Sequence, residues 1–378
     1  MARPKFYFYC YPWDLEDEGL EESLGRLAGE IGVDGITVAA TETNIRMIRG
    51  RPLGARRTFI CPAGAHFQPD AAIHRDNRIR PIPAAWMKSK NPLERIAKVA
   101  EKERLKLRAR VVLCENDELV ERHPHAARVN VFGDSCEKHL CPAHPDVRQY
   151  ASSVAEDLLK NYPIEVLELS QFGYTPAVSF HPSPAVDPMA FRSLMSVFKY
   201  CFCSACQQRA TDSNIDTQAA RQTVLRGLDS LFDSSALDRV DAKLEASPSL
   251  TLYIEAQQGT VNQFLQGICK NRKERTRVLL DSEPSISQLA PEPMESICGG
   301  VILPYREARQ GHMFSNWEAS LYETPPFIGD SQTTVKSTRD SIEQGSRAVI
   351  FDNYGAMPTR CLDWIRQAIR YAKRESAD

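Results

Sequence analysis

Eight short apolar runs, rich in β-branched and aromatic residues, recur along this 378-residue chain, and amphipathic stretches separate them. The runs lie at 6–12, 35–40, 108–115, 166–171, 276–281, 299–305, 317–323 and 348–354. Most are continuously apolar, as strands covered on both faces must be. The seventh mixes charge with aromatics, in Trp317-Glu318 and Tyr322-Glu323. Between them, 20–31 places Leu20, Leu24, Leu27 and Ile31 at helical spacing, and 92–104, 146–161, 252–271, 333–344 and 359–372 have the same helical character. Eight strands alternating with helices predict an α/β fold, a (β/α)8 TIM barrel forming one domain over 1–378. Two stretches break the rhythm. The Pro-, Arg- and Gly-rich 51–84 predicts a loop or hairpin after the second strand, and 172–249 predicts a long helical insertion after the fourth. In a barrel such excursions gather at the C-terminal rim, where active sites are built.

Charge and hydropathy remove several function classes. Lys and Arg number 47 against 49 Asp and Glu, a net charge of −2, a balance that does not point to a nucleic-acid or anionic-membrane surface. No run approaches the roughly 18 apolar residues of a membrane span. The opening Met-Ala-Arg-Pro-Lys-Phe-Tyr lacks the apolar core of a secretion signal. With 11 cysteines, an odd number, the expectation is a cytoplasmic protein with mostly reduced thiols. There is no phosphate-binding Gly-x-x-x-x-Gly-Lys loop, no Gly-x-Gly-x-x-Gly, no His-Glu-x-x-His and no Gly-x-Ser-x-Gly.

The cysteines are not scattered evenly. Cys201, Cys203 and Cys206 stand within six residues, in Tyr-Cys-Phe-Cys-Ser-Ala-Cys. Three thiols so close can share one ion, and a fourth would close a tetrahedral cage of the kind that holds structural zinc. Cys141, in His-Leu-Cys-Pro, is the first candidate for that fourth ligand and Cys136 the rival. A redox pair at Cys203 and Cys206 is the other use of such spacing, but the thioredoxin-like context is missing.

Carboxylates stand at the predicted rim: Asp14, Glu42, Glu115, Asp281, Glu283, Glu307, Glu323 and Asp352. Glu168 is different, because Leu167 and Leu169 flank it within a strand. If the leucines face the helices, Glu168 points into the barrel and needs an arginine, a tyrosine or a function to offset its burial. Tyr11, Trp13, Tyr174, Tyr305 and Tyr354 near strand ends are platforms on which the C–H faces of a sugar can stack, while Tyr9 reads as packing. Polar partners for sugar hydroxyls include His66, Asn116, Arg306 and Asn353.

From about 140 to 208 the chain resembles the family-42 glycoside hydrolases, β-galactosidase-like (β/α)8 barrels. The resemblance rests on His139-Leu140-Cys141-Pro142, on the strand that runs into Phe172-Gly173-Tyr174, and on Cys201-Phe202-Cys203-Ser204-Ala205-Cys206. It implies that Cys141, Cys201, Cys203 and Cys206 hold a structural zinc. It also implies an Asn-Glu pair, carrying the acid/base, at the end of strand four. Here that position reads Ser170-Gln171, and glutamine cannot exchange a proton near neutral pH, so the acid/base role is not carried over. Leu321-Tyr322-Glu323-Thr324-Pro325 resembles the stretch bearing the nucleophile.

These features lead to one expectation: a glycoside-hydrolase-like enzyme acting on a carbohydrate through rim carboxylates, with a structural zinc. Glu323 is the expected nucleophile or base, with Glu168 or Asp352 as the second carboxylate. Tyr11, Trp13, Asp14, His66, Glu115, Asn116, Gln171, Tyr174, Asp281, Tyr305, Arg306 and Asn353 are the expected substrate contacts. Two other readings are a barrel that binds carbohydrate without cleaving it, motivated by Gln171, and a sugar-acid lyase or isomerase using Arg306 and Arg309. A homo-oligomer is compatible with the sequence.

Overall fold

The computed structural model describes residues 3–53, 56–88, 90–174, 198–233, 247–270, 272, 276–281, 296–305, 314–321 and 330–375. Eight parallel strands close into a barrel: β1 (Lys5–Cys10), β2 (Gly35–Glu42), β6 (Lys106–Val112), β9 (Ile164–Ser170), β10 (Arg277–Asp281), β11 (Gly300–Pro304), β12 (Trp317–Ser320) and β13 (Ala348–Phe351). Each pairs with the next, and β13 pairs with β1 to complete the ring. All eight match the apolar runs of the sequence, the seventh included. Six of the eight strands end earlier than their apolar runs at the rim, and the first strand shows why. Pro12 cannot donate to the ladder but fits the first turn of a helix, so α1 (Pro12–Glu18) begins there.

Side chains alternate across each strand. In β1, Phe6, Phe8 and Cys10 join the layer between strands and helices, whereas Tyr7 and Tyr9 join Ala39, Val166, Leu279, Ile302 and Ile350 inside the ring. Outside run α2 (Leu20–Gly25), α3 (Pro92–Lys102), α4 (Asp117–Arg122), α5 (Pro145–Asn161), α9 (Ser331–Glu343) and α10 (Thr359–Glu375). In α3, Leu93, Ile96, Ala97 and Ala100 fall on one buried face, and the Asn91 side chain caps its start by accepting the Glu94 N–H.

The expected excursion after the second strand is a hairpin of β3 (Ile45–Leu53) and β4 (Arg56–Cys61), followed by the two-residue β5 (Gly64–Ala65), which pairs antiparallel with the rim end of β2. A second hairpin, β7 (Ala127–Val129) and β8 (Ser135–Leu140), follows α4. Of the excursion after the fourth barrel strand, α6 (Ser204–Asp212) and α7 (Thr217–Asp233) are described, and α8 (Pro248–Cys269) comes next. Phe198, Tyr200, Phe202, Ala220, Val224, Leu250 and Tyr253 form an apolar cluster of their own there. Among the described residues no helix is long and apolar enough to cross a membrane.

Candidate functional site

A cavity of about 590 Å³ opens at the C-terminal ends of the barrel strands. Five carboxylates line it: Glu42, Glu115, Glu168, Asp281 and Asp352, each from a different strand end or the residues just beyond. Tyr9 and Tyr11 form one wall, and Ile45, Arg46 and Met47 of the β3–β4 hairpin lean over it.

Asp352 follows β13 directly. Burial pushes its carboxyl up to about 8, against the pull of Arg110, and the charges of Asp281, Glu42 and Glu168 add to the rise. It is therefore held protonated near neutral pH. Asp281 is bound differently: Arg110 Nη2 lies 2.8 Å from its Oδ2, and the same nitrogen donates to Ser170 Oγ at 3.1 Å. Burial, and next the charge of Glu42, raises Glu115. Glu42 itself accepts from Tyr9 Oη at 2.8 Å and from the Thr43 N–H at 3.0 Å.

Glu168 points into the barrel, as its flanking leucines required, and it has the partner its burial demands. Arg108 Nε lies 2.6 Å from Oε1, and Thr37 Oγ1 donates to the same oxygen at 2.6 Å. Arg108 also reaches Glu318 Oε2 at 2.7 Å and stacks its guanidinium 4.2 Å from the Tyr7 ring centre. Burial still raises the Glu168 carboxyl above its ordinary range, despite Arg108 and the Thr37 hydroxyl.

Of the expected substrate contacts, Tyr11, Glu115, Gln171, Asp281 and Asn353 line this cavity. Gln171 adopts a left-handed backbone, φ 50°, at the tip of β9. Six others do not line it. Trp13 is 1% exposed, sandwiched between Tyr11 (4.4 Å) and Phe59 (4.6 Å), so it backs the wall and presents no face to a ligand. Asp14 lies beneath it in α1, paired with buried Arg49 at 2.9 Å and raised to about 7 by burial. Gly355 closes over that carboxylate so tightly that a Cβ there would sit 1.8 Å from Asp14 Oδ2. His66 is buried edge-on to Trp13 and Trp86, and burial lowers it to about 4. Asn116 caps α4, accepting the Leu119 N–H at 2.8 Å. Tyr305 turns to the helix layer and donates to Asp340 at 2.9 Å. Tyr174 lies at the cysteine cluster. Glu323 and Arg306 fall outside the described residues.

Tyr9, Glu42, Arg110 and Ser170 line the cavity without having been singled out as substrate contacts. A signal for the arginine was present: Arg108 and Arg110 alternate in β6, which sends both to the inner face.

On the outer side of β9, the sulfurs of Cys141, Cys201, Cys203 and Cys206 converge within 4.8 Å of one another, all buried. Cys141 Sγ lies 3.4 Å from Cys206 and 3.8 Å from Cys201. Tetrahedral thiolates at a zinc–sulfur distance of 2.3 Å stand about 3.8 Å apart, so the cage matches the ion's dimensions. Cys136 is not part of it and faces His139 Nδ1 at 3.6 Å. Groups around the sulfurs hold them in place: Tyr174 Oη is 3.2 Å from Cys206 Sγ, and Tyr253 Oη and Gln257 Nε2 both donate to the Cys201 carbonyl. This buried four-cysteine group could hold a metal ion.

No protein-family model matches the chain, and no curated protein matches it in sequence. Solved structures do. An α-L-fucosidase isoenzyme 2 from Paenibacillus thiaminolyticus superposes with a TM-score of 0.57 at 12% identity over 100% of this chain and 50% of its own. The β-galactosidase from the psychrophilic Marinomonas ef1 gives 0.59 at 9% identity, over 99% and 60%. A catalytic mutant of a GH42 β-galactosidase from G. stearothermophilus gives 0.54 at 10% identity, over 100% and 57%. The chain thus spans half to three fifths of these enzymes, and the likeness is one of fold: a glycosidase-type barrel.

Proposed function

We propose that this protein is a glycoside-hydrolase-like enzyme acting on a carbohydrate, with Asp352 as proton donor and Glu323 as nucleophile or base. The observation that carries the reading is Asp352, a buried acid held up to about 8 in an open cavity lined by four other carboxylates. Cleavage of a glycosidic bond needs one carboxyl kept protonated to meet the departing oxygen and another kept ionised. Glu323 is assigned from sequence, three positions beyond the end of β12 at Ser320. Glu168, with one oxygen engaged by Arg108 and Thr37, is held in place under the site. Tyr11 offers its ring to a sugar face, while Glu115, Gln171, Asp281 and Asn353 meet hydroxyls. Arg306 is retained as a rim donor on sequence grounds.

The four-cysteine cage suits zinc, which accepts four thiolates without geometric preference. Bound there, the ion completes its shell with protein sulfur and cross-links Cys141 to the segment after β9.

A second reading, a barrel that binds sugars without cleaving them, is favoured by Gln171 at the tip of β9, where an acid/base would stand. The test is a panel of aryl glycosides and oligosaccharides assayed for released aglycone or reducing ends. Turnover that falls by 10²–10⁴-fold in Asp352→Asn, as expected for loss of a general acid, supports the hydrolase. Calorimetric binding of an oligosaccharide with no released ends supports the binder. Full activity in Glu323→Gln sinks the nucleophile assignment.

A further inference from the structure

Three of the chain's eight histidines, His123, His125 and His144, gather on the outer surface away from the barrel mouth. His125 sits in the single turn Pro124–Ala126, His144 caps α5, and Asp146 occupies the first turn of that helix. The His125 and His144 rings stand 5.3 Å apart, with His123 6.0 Å beyond His125. His125 Nε2 lies 3.6 Å and His144 Nδ1 4.0 Å from the same Asp146 oxygen, and one ligand atom from each of the three residues falls within 4.8 Å of the others.

We propose that His125, His144 and Asp146 form a second metal site, for a divalent transition ion such as Ni²⁺ or Zn²⁺. The donor set is the kind these ions take, two imidazole nitrogens and a carboxylate oxygen. Ligands bound at about 2.1 Å lie roughly 3.0–3.4 Å apart around one ion, so the two imidazole–carboxylate spacings of 3.6 and 4.0 Å must close by an ångström or less, and the imidazole–imidazole spacing, within 4.8 Å, must close as well. His125 can supply that movement, since its side chain is 54% exposed. Two groups compete. The Asp146 N–H donates to His144 Nδ1 at 3.3 Å, a long cap bond that ligation would replace. Arg78 Nη1 lies 3.9 Å from Asp146, but its side chain is 79% exposed and free to leave. The ion would tie the turn before β7 to the start of α5, with the rest of its shell completed by water. This site shares no ligand with the cysteine cage.

The test is titration of untagged protein, its cage already loaded with zinc, with Ni²⁺ in a non-chelating buffer, followed by calorimetry and elemental analysis. The expected result is one Ni²⁺ per chain in addition to retained zinc, with affinity at least tenfold weaker in His125→Ala and in Asp146→Asn. His125 is exposed and Asp146 half-buried, and an unchanged melting temperature of the metal-free variants confirms that they fold. Absence of bound Ni²⁺, nickel that appears only in exchange for zinc, or equal affinity in His125→Ala would overturn the site.

Discussion

Replacing Arg108 by methionine tests the ion network on which the cavity floor rests. Arg108 is fully buried between Glu168, 2.6 Å away, and Glu318, 2.7 Å away. Glu318 keeps a second partner in Arg277 at 3.1 Å, and among the described residues Glu168 keeps the Thr37 hydroxyl. Methionine fills most of the volume, so the loss is chiefly electrostatic. Removing one member of a buried pair typically costs about 3–5 kcal/mol, a large part of the about 5–15 kcal/mol that holds a native protein together. The sign with pH follows from linkage. Without Arg108 the Glu168 carboxyl rises further above its unfolded value of about 4.3, so the folded variant binds more protons than the unfolded chain above that pH. Its deficit is therefore smallest in acid and grows as pH rises. Urea unfolding followed by circular dichroism at pH 5 and pH 8 measures it. A deficit under about 1 kcal/mol, far below the range for a broken buried pair, or one that does not grow between the two pH values, would refute the argument. Adding Glu168→Gln should recover part of the deficit at pH 8, because it removes the charge that loss of Arg108 leaves without its cation.

Three further outcomes follow from other parts of the molecule. Activity should fall as pH rises through about 8, where Asp352 gives up its proton; a rate that stays level to pH 9.5 would remove Asp352 as the acid. The same raised carboxyl makes its stabilising contribution greatest below about 4 and progressively lost toward 8, because the folded state holds the proton across that window. Zinc should co-purify at one ion per chain and disappear in Cys201→Ser. A site saturated a thousandfold above its Kd stabilises by about 4 kcal/mol, so a strong chelator should lower the melting temperature, and an unchanged melt would discount the cage. Gly355→Ala should destabilise by about 1–3 kcal/mol, as overpacking does, because the new methyl meets the clamped Asp14 carboxylate; a melting temperature equal to wild type would show that the carboxylate yields.

The barrel was legible because its strands are buried on both faces, and a continuous apolar run of that kind survives in sequence without help from distant contacts. The cysteine cage was legible for a related reason, three of its ligands lying within six residues. Less of the mouth could be read. Trp13 and Asp14 were placed at a strand tip, but Pro12 turns the chain into a helix and buries both. His66 reads as a polar loop residue until Trp13 and Trp86 are seen to cover it. Tyr9 reads as packing, yet its hydroxyl reaches Glu42, 33 residues away. For His66 and Tyr9 the deciding neighbour is remote in sequence, and local pattern carries no record of it. Glu168 was half legible: its inward direction follows from its flanking leucines, while the identity of its partner, Arg108, depends on how β6 and β9 align.

Cys141 precedes α5 and β9, and Cys201 follows them at a separation of 60 residues. An ion held by the four cysteines would link the two and enclose the helix and strand between them in a closed loop. For a closure of that span the chain-entropy relation gives about 4 kcal/mol, drawn from restricting the unfolded chain. The anchorage lies behind β9 and uses none of the acids at the mouth. With the ion in place, β9 would be anchored from behind by its own flanking segments, so the acids at the mouth could be altered without loosening the ring.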